Sequence, residues 1–173
     1  MKRFSFGQEY YLTNYNELNE YLKFMINDDS NKQIKYIFTN GSLGWRDIGN
    51  SKKYGLDTEI YIVFDNDAVL KIYYTFYSLM YVRYMWIQNL NIQEKEFNND
   101  NFKLDLDVKN TRIEDFEIER FSEEYEINPS SGTDRPDRGD YFKKITFNLS
   151  NGKKLCISAE DSETDGYCDI WTE

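Results

Sequence analysis

The sequence predicts a β-rich α+β fold, with antiparallel sheet built from two similar strand–hairpin–strand halves and one N-terminal amphipathic helix. Residues 58–72 align without a gap on residues 143–157, with apolar residues matched at five positions and polar turn residues matched between them. Residues 15–25 instead repeat their apolar side chains at helical spacing. Short apolar alternation is typical of strands, whereas a repeat of about 3.6 residues is typical of a helix.

The matched segments indicate an internal repeat. The paired apolar positions are Ile60/Ile145, Ile62/Phe147, Phe64/Leu149, Leu70/Leu155 and Ile72/Ile157, with Ile34/Ile113 and Ile37/Phe116 upstream. Downstream, residues 81–85 fall on residues 167–171 when one residue is inserted. We therefore expect a single domain over residues 1–173 with an internal duplication of about 34–87 and 113–171. One antiparallel sheet without internal symmetry is the alternative.

An N-terminal helix is expected to begin near Asn14, because Glu17 stands three residues further on, as in a capping box. Its apolar positions, spaced for one helix face, are Tyr15, Leu18, Leu22 and Met25. Polar residues 27–31 are expected to end the helix. The pattern predicts an amphipathic helix that packs one face against the sheet.

The strands are predicted from short apolar runs bounded by turn residues. They are expected at residues 34–38, in the two hairpins, which turn at residues 65–67 and 150–152, and at residues 73–87, 113–121 and 167–171. Residues 73–87 are expected to continue the first hairpin, to turn near Ser78 and to return as residues 80–86. Residues 128–140 contain both prolines, which predicts a loop.

The charge balance limits the partners. The chain has 31 acidic and 21 basic residues, a formal net charge of −10. Such a surface repels phosphates and anionic lipids, which disfavours membrane binding and nucleic-acid binding by a basic patch. It is compatible with a basic protein partner and with mimicry of nucleic acid. The sequence shows no apolar run long enough to span a bilayer and no signal peptide, so we expect a cytoplasmic protein.

The sequence offers little catalytic chemistry. Histidine is absent, which removes Ser-His-Asp and Cys-His catalysis and the commonest metal ligand. The acids between Glu160 and Asp165 do not have the spacing of an EF-hand loop. Cys156 stands between two apolar residues with no evident base. We therefore expect a non-catalytic protein with no metal and no cofactor.

The most unusual local feature is the aromatic run over residues 73–87. As a strand it would carry apolar or aromatic side chains on both faces, so both faces need a cover. Internal burial is one interpretation, and an interface with a second copy or with a partner is the other, since Tyr, Trp, Met and Arg dominate interface hot spots. The residues expected at a dimer interface are Tyr77, Tyr81, Tyr84 and Trp86.

One segment resembles a known class of proteins. Residues 145–155 read Ile-Thr-Phe-Asn-Leu-Ser-Asn-Gly-Lys-Lys-Leu, in an acidic chain rich in Asn, Lys, Ile and Tyr. In these features the chain resembles small bacterial immunity proteins of toxin–immunity pairs, over the hairpin segments and less than half of its length. The resemblance implies a cytosolic protein whose acidic face occludes the basic site of a toxin. It brings no functional residues with it.

Contacts with such a partner are expected from acids and aromatic side chains. They are Glu160, Asp161, Glu163, Asp165 and Tyr167 near the end of the chain, with Trp45 and Arg46 in the link before the first hairpin. Two other functions stay open. A nucleic-acid-mimicking acidic inhibitor of phage or mobile-element origin would space carboxylates along one face. A divalent-metal-dependent hydrolase or ligand-binding domain would use carboxylates as metal ligands.

Overall fold

The predicted β-rich α+β fold is confirmed by a computed structural model, which describes residues 10–12, 15–27, 33–39, 43–48, 51–56, 59–66, 68–76, 83–91, 103–120, 142–158 and 168–173. The helix α1 spans Tyr15–Asn27. The strands are β1 (Tyr10–Leu12), β2 (Ile34–Thr39), β3 (Leu43–Ile48), β4 (Ser51–Leu56), β5 (Ile60–Phe64), β6 (Ala68–Phe76), β7 (Arg83–Asn91), β8 (Ile113–Arg120), β9 (Phe142–Leu149), β10 (Lys154–Ser158) and β11 (Cys168–Thr172).

The strands form two antiparallel sheets. Sheet A has five strands in the order β1-β7-β6-β5-β2, and sheet B has six in the order β3-β4-β11-β10-β9-β8. The first half of the chain supplies sheet A and also the hairpin β3–β4, which pairs with β11 at the far side of sheet B. Each sheet therefore depends on residues from the first half of the chain.

The two predicted hairpins share one register. The pairs are Ile60 opposite Ile72 and Ile62 opposite Leu70 in β5–β6, and Ile145 opposite Ile157 and Phe147 opposite Leu155 in β9–β10. Each of these residues occupies the position that its counterpart in the other half occupies. Because neighbouring side chains in a strand point to opposite faces, this common register turns equivalent residues toward the core in both sheets.

The strands that precede the two hairpins, β2 and β8, also pair in equivalent registers. Ile34 and Ile113 lie opposite Phe64 and Leu149, which are themselves matched positions. Ile37 and Phe116 likewise lie opposite Ile62 and Phe147. Both strands then shift register directly after their first residue, as a β-bulge does. The two halves are thus alike down to an irregularity, while their origin by duplication stays a prediction.

The alignment predicted for the return strands was wrong by three positions. It laid Tyr84 on Ile170, whereas the register places Ile87 opposite Ile72 and Ile170 opposite Ile157. The reason is the length of β6, which spans nine residues where β10 spans five. The return strand of the first half therefore begins further along the chain than the matched hairpin alone indicates.

The second hairpin turns where the sequence predicted. Gly152 has a φ of 81°, and its N–H donates to the Leu149 carbonyl at 2.9 Å. Asn151 does not take a positive φ. Its side-chain oxygen instead accepts a hydrogen bond of 3.0 Å from the Lys153 N–H. The Asn-Gly pair therefore acts through one left-handed glycine and one side-chain acceptor.

One hydrophobic core joins both sheets and α1. The helix contributes Leu18, Tyr21, Leu22 and Met25, all buried. Ile62 of sheet A and Phe147 of sheet B are fully buried in the same cluster. The amphipathic helix predicted from the sequence is therefore confirmed, and its apolar face packs on the inner faces of the sheets.

Two segments close the sides of this core. The helix α1 contacts β1 of sheet A and β8 of sheet B. Residues 103–112, which we call the covering segment, lie between β2 and β4: the Leu104 N–H donates to the Ile37 carbonyl at 2.8 Å, and the Asp105 N–H donates to the Tyr54 hydroxyl at 3.1 Å. Its Leu104, Leu106 and Val108 are buried in the core.

We expect Phe147→Ala to lower the free energy of unfolding by about 3–5 kcal/mol, because it removes a fully buried ring from the shared core. Chemical denaturation measures this change. Lys154→Ala, at an exposed position of the neighbouring strand, is the control and should change stability by less than about 0.5 kcal/mol. Equal effects of the two variants would contradict the common core.

Candidate partner-binding site

A cleft separates α1 from β8. Its volume is about 450 Å³, within the range of roughly 300–1,000 Å³ that is usual for ligand sites. Tyr15, Asn19, Lys23 and Ile26 line it from the helix, and residues 114–118 line it from the strand. The wall on the strand side is therefore formed by consecutive residues, and the cleft runs along the edge of sheet B.

The helix side of the cleft follows from the amphipathic pattern. Leu18, Leu22 and Met25 hold the opposite face of α1 in the core. Tyr15, Asn19 and Lys23 recur every fourth residue and so form one stripe of the helix surface. The Tyr15 ring also contacts the guanidinium of Arg120, whose central carbon lies 4.2 Å from the ring centroid.

The strand side is acidic. Phe116 and Ile118 of β8 pack against the core, and the residues that alternate with them have exposed side chains. These are Asp115, Glu117 and Glu119, joined by Glu114 in the bulge. We call these four residues the acidic edge, because β8 is the last strand of sheet B. A row of charges on an edge strand also discourages unwanted pairing between copies.

The acidic edge is poorly neutralised by its surroundings. Glu119 lies opposite Lys144 on β9, but Asp115 and Glu117 lie opposite the uncharged Asn148 and Thr146. In the described part of the chain, none of the four carboxylates belongs to an ion pair. The edge therefore presents exposed negative charge beside the cleft, where it can attract a cationic group.

The acids predicted at the partner interface lie outside the described residues. They are Glu160, Asp161, Glu163 and Asp165, together with Tyr167. Trp45 and Arg46 belong to β3, opposite Tyr54 and Lys53. Since β3 and β8 are the two ends of sheet B, Trp45 and Arg46 are not brought to the cleft. All seven stay predictions as partner contacts.

The predicted dimer residues are also only partly located. Tyr77 and Tyr81 lie outside the described residues. Tyr84 and Trp86 belong to β7, opposite Thr75 and Tyr73 of β6. β1 pairs with β7 at Ile87, Gln88 and Asn89, so the described pairing flanks Tyr84 and Trp86 on the β6 side and does not extend to them on the β1 side. A dimer interface through these residues stays a prediction.

Sequence reasoning missed the acidic edge. The strand itself was expected from Ile113, Phe116 and Ile118, but the acids between them were not assigned to a site. The available signal was the alternation of acidic and apolar residues, which indicates a strand with one charged face. What the sequence did not show was that this strand lies at an edge, beside a cleft.

A second polar cluster lies on the outer face of sheet B. The Lys53 ammonium is 2.9 Å from the Asp169 carboxylate, which is only 3% exposed. The same ammonium lies 4.5 Å from the centroid of the Trp171 ring, and the Lys144 ammonium lies 5.2 Å from it. Trp171 donates its indole N–H to Glu173 at 2.9 Å. These contacts join β4, β9 and β11 through one partly buried cluster.

The two thiols lie on opposite faces of sheet B. Cys168 belongs to the core cluster, whereas Cys156 lies opposite Thr146 and Trp171 on the outer face. Burial raises the pKa of the Cys156 thiol above its ordinary value, although the Lys144 charge opposes it. The thiol is therefore protonated at neutral pH and is a poor nucleophile.

A third polar cluster lies on sheet A. The Glu59 carboxylate is 2.7 Å from the Lys71 ammonium and accepts a hydrogen bond of 2.7 Å from the Tyr61 hydroxyl. Burial acts to raise the pKa of Glu59, but the hydrogen bonds from Lys71 and Tyr61 and the Lys71 charge outweigh it and hold this pKa below its ordinary value. Burial and the Glu59 carboxylate raise the pKa of Tyr61, which remains a donor.

No group of three or more Cys, Asp or Glu side chains is arranged to hold a metal ion, as far as the described ranges extend. Within those ranges, no helix has the length and apolar character needed to cross a membrane. Comparison of the chain with protein-family models, curated proteins and solved structures gave no match.

We expect Asp169→Ala to lower the free energy of unfolding by about 3 kcal/mol, because it leaves the largely buried Lys53 ammonium without this carboxylate. Glu117→Ala is the comparison and should change stability by less than about 0.5 kcal/mol, since its side chain is exposed. Thermal or chemical denaturation distinguishes the two. A large loss from Glu117→Ala would show that the acidic edge serves stability.

The Glu59 cluster predicts a pH effect. Because the pKa of Glu59 is lower in the folded than in the unfolded chain, its contribution is complete above the unfolded pKa of about 4.3 and is lost as pH falls through the folded pKa. We expect the stability difference between wild type and Glu59→Gln to be largest above about pH 5 and to shrink below about pH 4. Denaturation across this range measures it, and a constant difference would contradict the prediction.

Proposed function

We propose that this protein is a non-catalytic binding module, an acidic immunity or inhibitor protein that neutralises a basic partner protein. The observation that carries the proposal is the acidic edge beside the cleft between α1 and β8. Its carboxylates are exposed, lie outside the ion pairs of the described residues, and stand in a row along one strand. A basic toxin is the kind of partner that the resemblance to immunity proteins implies.

Electrostatics supports this assignment. The formal net charge of −10 attracts a basic protein from a distance, and the acidic edge concentrates part of that charge at one place. Complementary charge speeds association and disfavours wrong partners. We include Glu160, Asp161, Glu163, Asp165, Tyr167, Trp45 and Arg46 as further contacts within the proposal, and a cytoplasmic location, where the partner would be neutralised.

We expect the double variant Asp115→Lys/Glu117→Lys to capture the basic partner from the organism's own cells at least tenfold less efficiently than the wild type, since each substitution replaces attraction by repulsion. Affinity capture with mass spectrometry, at low and high salt, measures this loss. Added salt should reduce wild-type binding, because exposed charges are screened.

The matched control is Asp65→Lys/Asp105→Lys, at exposed positions in the β5–β6 turn and in the covering segment. Each double variant has a formal net charge of −6 instead of −10, because every Asp-to-Lys or Glu-to-Lys exchange adds two positive charges. The control should retain most of its binding. An equal loss in both variants would show that net charge alone attracts the partner, and no loss in either would refute the proposal.

A nucleic-acid mimic is the second candidate. It is supported by the spacing of Asp115, Glu117 and Glu119, which alternate along one face of β8 and so stand about 6.6 Å apart. Such a row would compete with phosphates for a basic groove. If the captured partner is a nucleic-acid-binding protein and duplex DNA displaces it, mimicry is favoured; if DNA has no effect, the immunity interpretation is favoured.

A further inference from the structure

The edges of the two sheets offer a direct comparison. β2 is the last strand of sheet A, as β8 is of sheet B, and the two strands share register and bulge. The outer edge of β2 is occupied by the protein's own covering segment. Ile34 donates to the Thr111 carbonyl at 2.7 Å and accepts from Asn110 at 2.8 Å, and Ile37 accepts from Leu104 at 2.8 Å.

The hydrogen bonds of β2 show which of its backbone groups point to the outer edge, and β8 has the same register. In β2 they belong to Ile34 and Ile37, and Phe116 holds the position of Ile37 on β8. Because backbone groups alternate between the two edges of a strand, those of Phe116 and Ile118 point to the outer edge of β8. Among the residues described, no other segment bonds to Phe116 or Ile118 at that edge.

We propose that the outer edge of β8 receives an extended segment of the partner as an added antiparallel strand, in which basic residues alternate with apolar ones. This inference rests on the proposed binding function and specifies how the partner is held. Main-chain hydrogen bonds supply affinity in this mode, and alternate side chains supply specificity. The covering segment on β2 shows that a strand edge with this register can bond to backbone from outside the sheet.

The side chains around the edge define the sequence of the added segment. Asp115, Glu117 and Glu119 lie on the outer face, where opposite residues of an added strand would stand about 4.5–5.5 Å away. Lys or Arg at these opposite positions of the added strand would lie beside the carboxylates. On the inner side the alternate residues meet Phe116 and Ile118 of β8 and the core-packed Tyr15 and Ile26 of α1, which favours apolar side chains there. The polar residues Asn19, Lys23 and Asn27 line the rest of the helix wall.

Charge also selects this occupant over a second copy of the chain. Pairing two β8 edges would bring the carboxylates of one row beside those of the other, and like charges at opposite positions are destabilising. A neutral added strand would form the backbone hydrogen bonds but would bring no positive charge to the carboxylates of the acidic edge. A basic, alternating segment satisfies the backbone edge and the charge together.

The test uses the full chain and a synthetic peptide of alternating lysine and valine. In an extended peptide all lysine amides point to one edge and all valine amides to the other. N-methylation of each set in turn gives two peptides with equal charge and an equal number of methyl groups. In an antiparallel addition the valines lie opposite Phe116 and Ile118, so the valine amides bond to β8.

We expect the valine-methylated peptide to bind at least about tenfold more weakly than the unmodified peptide, because several main-chain hydrogen bonds are lost. The lysine-methylated peptide should bind within about twofold of the unmodified one. Hydrogen exchange measured by NMR should slow at the Phe116 and Ile118 amides when the unmodified peptide is added. The Ile34 amide, which already donates to the Thr111 carbonyl, is the internal control.

Equal binding of both methylated peptides, or exchange that does not slow at Phe116 and Ile118, would overturn the added strand and leave charge attraction in place. Failure of the proposed function would give a different experimental result. In that case the variant Asp115→Lys/Glu117→Lys would bind the unmodified peptide as well as the wild type does, which would overturn both. The two failures are therefore separated by one set of titrations.

Discussion

The packing of the two inner sheet faces against each other is the interaction on which the rest of the structure depends. Ile62 and Phe147 hold equivalent positions in sheets A and B and meet in one core. Their common register is required for this, because a slip of one residue would turn every inward side chain of that strand outward. The bulge that β2 and β8 share meets the same requirement, because it keeps the apolar residues of both strands on the inner face.

Two packed sheets leave open sides, and the chain closes them differently. The covering segment closes one side with a series of turns, bonding to β2 and placing Leu104 and Leu106 in the core. The helix α1 closes another, packing on β1 and β8 through its apolar face. A helix satisfies its own backbone hydrogen bonds and offers none to a neighbouring strand. This difference leaves a cleft and a strand edge beside α1, and it is the source of the proposed binding site.

The exposed carboxylates of β8 make that edge a negatively charged surface. Two buried or partly buried carboxylates of the described residues, Asp169 and Glu59, are paired with Lys53 and Lys71, because an unpaired charge is costly away from water. The carboxylates of the acidic edge are exposed and carry no such requirement. They cost the fold little and are available to a partner. In the proposed function, stability and binding are therefore served by different acids, so substitution can separate the two.

The sequence alone determined the fold class, the helix, both hairpins and the equivalence of Ile34 with Ile113 and of Ile37 with Phe116. These depend on local periodicity and turn chemistry, which are properties of neighbouring residues. It did not determine the true offset of the return strand, because alternation in an aromatic-rich run fits several offsets. Nor did it show that β8 is an edge strand beside α1, so the acids there were passed over for acids elsewhere in the chain. Strand order and sheet edges result from contacts between residues distant in the chain, and only the tertiary structure decides them.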